Sequence, residues 1–471
     1  MNSQKNNPLT GVLLLNGGKT FGRHKKRLLY KCIPHQGDPV LIPYEIKLGF
    51  SKHIKNKYIS FHIIQSKTDH KPAEGQLFEV YGDVDDLNVY YEYQLMSRQL
   101  RYSLKMKTFD LPDTLFNRPI ENRFFENVFT IDNEHTTEFD DAFSVKTVHE
   151  TTIVSIYITN VASYVHYFQL WNKLNENAVS NIYLPHRKLN LLPPSLVDKF
   201  LSLKQGTERY TICLDITIDK NNNIVETTLT EAYICVKKNY VYESDELINH
   251  PHYQQLLSVS PPTVQNSYDL VSHWMEYYNL NIKERVRDKM KINEFIYVHH
   301  YNVPRENRYL VQLTQTNPKG YYIYSALEKN DYIHCTSPIR RIVDIYNQSI
   351  LLSLNFLPLN IDFVNEKSKQ VKKIQTECLL MNRCFNDPTI MNRSYSGFLF
   401  DKEKKGDLYK YTIYIEDLKM VSFIKSETDY SLFSHLMFQL VLFQDEHQIN
   451  KKIKLKVIDT KESLIHTGSF L

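Results

Sequence analysis

Five carboxylates, Asp132, Glu134, Glu138, Asp140 and Asp141, fall within ten residues, and apolar strand-like runs flank them on both sides. Carboxylates this crowded repel one another, so without a cation some of them keep their protons. Hard oxygen donors at this density suit Mg²⁺ or Mn²⁺. Two such ions can activate water and stabilise a departing oxygen in phosphodiester cleavage. A solvated acidic loop, or a calcium site without catalysis, has the same composition.

A second stretch with chemistry of its own is Thr336-Ser337-Pro338-Ile339-Arg340-Arg341. Ser337 suits a helix N-cap and Pro338 the first helical position, so the spacing predicts a helix over Ser337–Leu354. Two arginines in the first turn oppose the helix dipole. A bound anion, gripped by guanidinium groups and free N–H groups, would account for them. An ion pair between Arg340 and Asp344, one turn on, accounts for one of them without a ligand.

These stretches need elements to hold them. The first third of the chain reads as short strands at Gly11–Leu15, Leu28–Ile33, Pro39–Pro43, Tyr58–Ile64 and Gln76–Tyr81, separated by Gly and Pro turns. Five short strands with basic loops suit a small barrel of the OB type. A helix is expected over Asp85–Leu100, and Leu111-Pro112-Asp113 marks a linker. Strands at Asn127–Ile131, Thr152–Ile158 and Tyr210–Ile218 then mix with helical patterns at Leu170–Val179, Asp269–Arg287 and Phe363–Asn386. After Pro388 the pattern returns to strands at Ser396–Phe400, Leu408–Ile415, Leu436–Leu442 and Ile453–Ile458, which predicts a second small β-barrel.

At 471 residues the chain is too long for one ordinary core. A hydrophobic share of 42% with 23% charged residues excludes a disordered chain. The six cysteines form no CxxC pair, which argues against zinc knuckles and a disulfide scaffold. No apolar run is long enough to span a membrane, and the start has no secretory pattern, so a cytoplasmic protein is expected. The net charge of +4 hides an asymmetry. Residues 1–110 carry 17 Lys and Arg against 10 Asp and Glu, or +7, which leaves −3 for the rest. A basic front unit fits a polyanionic partner, although a solvated basic face has the same charge.

Taken together, Thr130-Ile131-Asp132 through Asp140-Asp141-Ala142 and Thr336 to Arg341 resemble the ribonuclease II/ribonuclease R family, whose catalytic domain is called RNB. Asp132, Asp140 and Asp141 fall on aspartates of the family pattern T-I-D-x5-D-x-D-D-A, and Thr336–Arg341 matches its T-S-P-I-R-R. Between these, Tyr157–Ala162, Ser180–Pro185, Leu191–Pro193 and Leu201–Leu203 resemble further family stretches. Upstream, Tyr30–Pro34 and Val40–Tyr44 resemble the cold-shock-like barrel that precedes the catalytic domain.

The resemblance implies a multidomain α+β protein, with an RNB catalytic α/β domain flanked by small OB-fold-like β-barrels. The divisions are 1–115 (cold-shock-like OB fold), 116–392 (RNB domain) and 393–471 (short OB-like β domain). It implies 3′→5′ hydrolysis of single-stranded RNA to nucleoside 5′-monophosphates by a monomer, with Mg²⁺ or Mn²⁺ as cofactor. Asp132, Glu138 and Asp141 would be metal ligands, and Asp140 and Arg340 catalytic. Tyr183, Tyr242, Arg341, Lys25, Lys26 and Arg27 would contact RNA. The chain departs from the family pattern at four places. Glu138 stands for an aspartate, Asn160 for an aspartate and Ile342 for a tyrosine. Val271-Ser272-His273-Trp274-Met275 stands where the family has V-E-E-F-M, whose glutamate reads the terminal ribose. A catalytically silent RNB-fold protein that binds RNA or scaffolds an assembly is the alternative, and a DNA exonuclease a third reading.

Overall fold

The computed structural model describes residues 8–46, 53–65, 68, 72–100, 120–175, 178–289, 295–299, 321–325, 331–418 and 420–458. Alternating apolar residues build the front unit from β1 (Leu9–Leu13), β2 (Arg23–His24), β3 (Arg27–Pro34), β4 (Val40–Tyr44), β5 (Lys57–Gln65) and β6 (Ala73–Asp83). β1 pairs with both β3 and β5, while β6 lies parallel to β4 and antiparallel to β5. The ring therefore closes in the order expected of an OB barrel. Leu13, Tyr30, Cys32, Ile42, Ile59 and Phe61 fill it. Gly11 lets β1 and β3 approach, since a Cβ there would lie 2.6 Å from the Ile33 carbonyl oxygen. β2 and β3 form a hairpin. Helix α1 (Leu87–Ser97) is capped by the Asp86 carboxylate, which accepts from the Asn88 and Val89 N–H groups. Its Tyr90, Tyr91 and Tyr93 are buried in the same apolar core as the middle unit.

The middle unit is organised around a second closed barrel. It is built from β7 (Glu121–Asp132), β8 (Asp141–Val148), β9 (Thr151–Thr159), β12 (Glu208–Ile218) and β13 (Ile224–Val241) in the order β12-β13-β7-β8-β9. One side of the alternation, with Val128, Ala142, Tyr157, Cys213, Ala232 and Ile234, forms one apolar cluster. The other, with Phe129, Ile131, Phe143 and Val145, packs into the larger core shared with the helices. Between β9 and β12 lie α2 (Val161–Tyr167), α3 (Trp171–Asn175), the hairpin of β10 (Ile182–Tyr183) and β11 (Lys188–Leu189), and α4 (Pro194–Leu196). After β13 come α5 (Asp245–Ile248), α6 (Pro251–Ser258), α7 (Ser267–Lys289), and a sheet of β14 (Tyr297–His299), β15 (Tyr321–Ile323) and β16 (Tyr332–Ile333). Helices α8 (Ile342–Leu351) and α9 (Ile361–Asn386) complete the unit. α8 is buried from Ile342 to Ile350, and its Asn347 and Gln348 side chains are satisfied, while Asp344 keeps one buried oxygen, Oδ2, without a partner. Asn347 Nδ2 donates to the Ile296 and His334 carbonyls, and Gln348 Nε2 donates to that of Thr159.

The rear unit follows α10 (Thr389–Asn392) with β17 (Ser394–Lys405), β18 (Leu408–Ile415), β19 (Met420–Ser426), β20 (His435–Gln444) and β21 (Lys451–Val457). Its order, β19-β18-β17-β20-β21, is that of the front barrel cut between β4 and β6. Among the described residues it is a five-stranded sheet with the strand order of the OB-like unit expected. It docks on the front unit, where Tyr58 Oη donates to the Gln448 carbonyl at 2.5 Å and Tyr90 Oη accepts from the Lys451 N–H at 3.0 Å.

Two expectations change. The helix expected from Ser337 starts at Ile342, because Ser337–Arg340 form a turn and Arg341 is extended (φ −137°, ψ 127°) as its N-cap residue. Among the described residues of the helix expected over Leu170–Val179, the helical ones are those of α3. The linker at Leu111–Asp113 and the division at residue 115 lie outside the described residues.

Candidate active site

β7 ends at Asp132 and the adjacent antiparallel β8 begins at Asp141, so the loop between them returns both carboxylates to one end of the barrel. That loop is fastened from outside. The Phe139 N–H donates to Ser202 Oγ and the Leu203 N–H to the Phe139 carbonyl, which gives the Leu201-Ser202-Leu203 stretch its purpose. The Thr159 N–H donates to the Asp140 carbonyl. The carboxylate of Asp140 is buried, accepts the Ile339 N–H at 2.8 Å, and lies 3.6 Å from Arg340 Nε. The turn that replaces the first turn of the expected helix thus delivers one backbone donor and one guanidinium to the acidic loop.

Electrostatics tie three of the four candidate carboxyls together. Burial pushes Asp132 up to about 6, against the pull of the Thr130 hydroxyl and Arg340. Burial likewise pushes Asp140 up to about 7, opposed by Arg340 and the Ile339 N–H. Burial, with the charges of Asp132 and Asp140, holds Asp141 well above the carboxylate range. Asp132 Oδ2 and Asp141 Oδ2 are buried and accept no hydrogen bond. Buried anionic oxygens without a partner are costly unless a cation or proton meets them, so this donor set suits a hard divalent ion. Among the described residues no group of three or more His, Cys, Asp or Glu side chains is already placed to hold a metal ion.

Glu138 is placed differently from the expectation. Its Oε2 pairs with Lys188 Nζ at 2.5 Å and accepts Asn181 Nδ2 at 2.9 Å. Asn181 also accepts the Leu191 N–H through its side chain and donates its own N–H to the Arg340 carbonyl. Arg341, expected to contact RNA, is also committed elsewhere. Its Nη2 pairs at 2.8 Å with the fully buried Asp344, whose same oxygen accepts the Ser337 N–H. The pairing foreseen for Arg340 therefore belongs to Arg341, and Arg340 keeps a half-exposed side chain beside Asp140.

Tyr183 is exposed on β10, with Lys188 Nζ 5.5 Å from its ring centroid. Tyr242 follows β13, and its N–H donates to the Asp132 carbonyl. Burial and the charges of Asp141 and Asp132 push its phenol up. Tyr242 stacks on Tyr268 at 4.1 Å and 12°, a contact the sequence reading missed. A clasp sets this stack, since the Glu243 carboxylate accepts from the Ser267 N–H and the Ser267 hydroxyl accepts the Glu243 N–H. No spacing in the sequence signals a pair 26 residues apart, one member following a strand and the other opening a helix. Asn160 is a buried N-cap for α2 whose amide donates to Glu231, so an aspartate there would face a like charge. Ile342 is buried, and its N–H donates to the Val179 carbonyl. His273 on α7 stands half-buried and edge-on to Trp274, and burial pushes it down. Lys25, Lys26 and Arg27 are exposed at the β2–β3 turn in the front unit.

Residues 125–252 match the RNB domain family. This segment, about a quarter of the chain, carries the likeness to the RNB domain. Ribonuclease R of Mycoplasmopsis pulmonis is 35% identical over 115 residues, which are 24% of this chain and 16% of that relative. The match thus reaches less than two thirds of the relative's length. Mycoplasma genitalium RNase R in complex with ribose-methylated single-stranded RNA has a similar fold. The TM-score is 0.69 at 16% identity, covering 95% of this chain and 89% of that one. The fold of yeast Ssd1, a pseudonuclease, is also similar, with a TM-score of 0.60 at 14% identity over 90% of this chain and 65% of that one. The RNB match encloses the whole β7–β8 acidic loop and the hairpin bearing Tyr183.

Proposed function

We propose that this chain is a 3′→5′ exoribonuclease that hydrolyses single-stranded RNA to nucleoside 5′-monophosphates. One observation carries the reading: Asp132, Asp140 and Asp141 are buried at one barrel end, with two unpartnered carboxylate oxygens and Arg340 at their edge. Bound there, Mg²⁺ or Mn²⁺ would polarise the scissile phosphate and acidify the attacking water. Asp132 and Asp141 would hold the ion, and Asp140, fixed by the Ile339 N–H, would orient what the ion binds. Arg340 would neutralise charge growing on the phosphate. The Tyr242–Tyr268 stack and Tyr183 would hold the terminal bases, while Lys25, Lys26 and Arg27 would guide the strand by its phosphates. In this reading the divisions 1–115, 116–392 and 393–471 act together in one cytoplasmic monomer whose partner is single-stranded RNA.

The test incubates the protein and Asp140→Asn with 5′-labelled single-stranded RNA, and with the matching DNA, in Mg²⁺. Expected are mononucleotide release from RNA by the native chain, none by the variant, and unchanged RNA binding by both. Undiminished hydrolysis by Asp140→Asn would show the site to be elsewhere. A second reading, an RNB-fold RNA binder without catalysis, draws on the Glu138–Lys188 pair at a position where the family pattern has an aspartate. RNA retention with no cleavage by the native chain would favour it, and equal cleavage of DNA would remove the RNA preference.

A further inference from the structure

Lys188 stands directly opposite Tyr183 in the β10–β11 register, and its ammonium reaches back over that ring to the acidic loop. The ion pair it forms with Glu138 is largely sheltered, at 26% and 11% side-chain exposure. The same Glu138 oxygen also accepts the Asn181 amide, whose residue is itself buried and tied at two other points. A divalent ion could use that oxygen only by displacing the lysine, one cation for another, and by breaking the Asn181 contact. Asp132 and Asp141 present the opposite situation, each with a buried oxygen that accepts no hydrogen bond among the described residues. The extra methylene of glutamate lets its carboxylate extend farther from the loop than an aspartate could.

We propose that the divalent ion is held by Asp132 and Asp141, with Asp140 beside it, and that Lys188, with Asn181, is a positioning residue that keeps Glu138 out of its coordination. The proposal rests on the ion-dependent reading above. It assigns the Glu138–Lys188 pair a charge-neutral role: it closes the loop and presents the lysine toward Tyr183, without adding a negative charge at the ion.

The experiment measures Mn²⁺ binding to the full chain by titration calorimetry and electron paramagnetic resonance, without RNA. Replacing both partners, as Glu138→Gln with Lys188→Met, preserves net charge. It should leave Mn²⁺ affinity within about twofold and stoichiometry unchanged. Asp141→Asn should cost about tenfold to a hundredfold. Lys188→Met alone frees Glu138 and should tighten Mn²⁺ binding or add a second ion, whereas Lys188→Arg should bind as the native chain does. Circular dichroism confirms that each variant is folded, and the charge-neutral double variant keeps the test decisive if the single one is not. A double variant that loses Mn²⁺ as severely as Asp141→Asn would overturn the proposal and leave the nuclease reading standing. Native protein that binds no Mn²⁺ at millimolar concentration would overturn both.

Discussion

Arg340 and Arg341 are neighbours of identical chemistry with opposite assignments. Arg341 is buried against Asp344 and holds the turn that ends in α8, while Arg340 projects half-exposed beside Asp140. Composition marks the pair as anion-binding but cannot divide the labour, because the division depends on which guanidinium meets a carboxylate that is itself sequestered. The same limit hid Lys188, whose partner Glu138 lies 50 residues earlier and joins it only through the β10–β11 hairpin. The aspartates were legible because five carboxylates in ten residues have few stable arrangements. If Arg340 acts on transition-state charge, Arg340→Met should lower kcat by about 10²–10³ with Mn²⁺ affinity unchanged. Arg341→Met should instead lower the melting temperature, since it leaves Asp344 buried and unpaired. Single-turnover RNA cleavage and thermal melts of the two variants check this division, and equal kcat losses with equal melting temperatures would erase it.

At the scale of elements, the sequence was most readable where one face of a strand is dry. β3, β4, β5 and β12 appear at nearly the expected residues because apolar residues alternate along them. β13 was missed, although it runs for 18 residues. Its first half is exposed and rich in Thr and Glu, so alternation shows only from Ala232 onward. The hairpin carrying Tyr183 and Lys188 was also invisible, with two residues in each strand. What fixes it comes from another unit. Glu92 on α1 accepts Arg187 through both carboxylate oxygens, at 2.5 and 2.6 Å, and His186 at 2.9 Å. Burial alone would raise the Glu92 carboxyl, but the hydrogen bonds from Arg187 and His186 outweigh it and hold the group below its ordinary value. A depressed carboxyl contributes stability above its unfolded pKa and loses that contribution as pH falls through the folded value. Glu92→Gln should therefore cost about 1–2 kcal/mol at pH 7, with the difference from the native chain shrinking as pH drops from about 5 toward 3. Urea unfolding across that range measures it. A difference that stays constant with pH would mean that packing of the α1 side chain, not its charge, holds the hairpin.

Across the whole molecule, the positive charge is concentrated in residues 1–110, at +7 against −3 for the rest of the chain. The front barrel closes as expected, and Lys25, Lys26 and Arg27 stand exposed at its β2–β3 turn, with Lys25 in the left-handed region at φ 54°. Among the described residues no ion pair joins these three side chains to a carboxylate, and beside them His24 Nδ1 lies 3.2 Å from Glu74 Oε2. If this turn guides RNA as proposed, its three exposed cations would contribute to affinity through phosphates, and each phosphate contact to a single strand would add about 0.7 to the log–log salt slope. Replacing all three with glutamine should then flatten that slope by about two units and weaken binding of long RNA most at low salt. Cleavage of oligonucleotides too short to reach from the carboxylates to the front barrel should be unchanged, because the aspartates, Arg340 and the tyrosine stack are untouched. Fluorescence anisotropy over a salt series, paired with turnover of short and long substrates, reads both effects. An unchanged slope with unchanged long-RNA affinity would make the turn a solvated basic face and send the RNA path across another surface. A slope that flattens together with slower short-oligonucleotide turnover would place the hairpin at the barrel end itself.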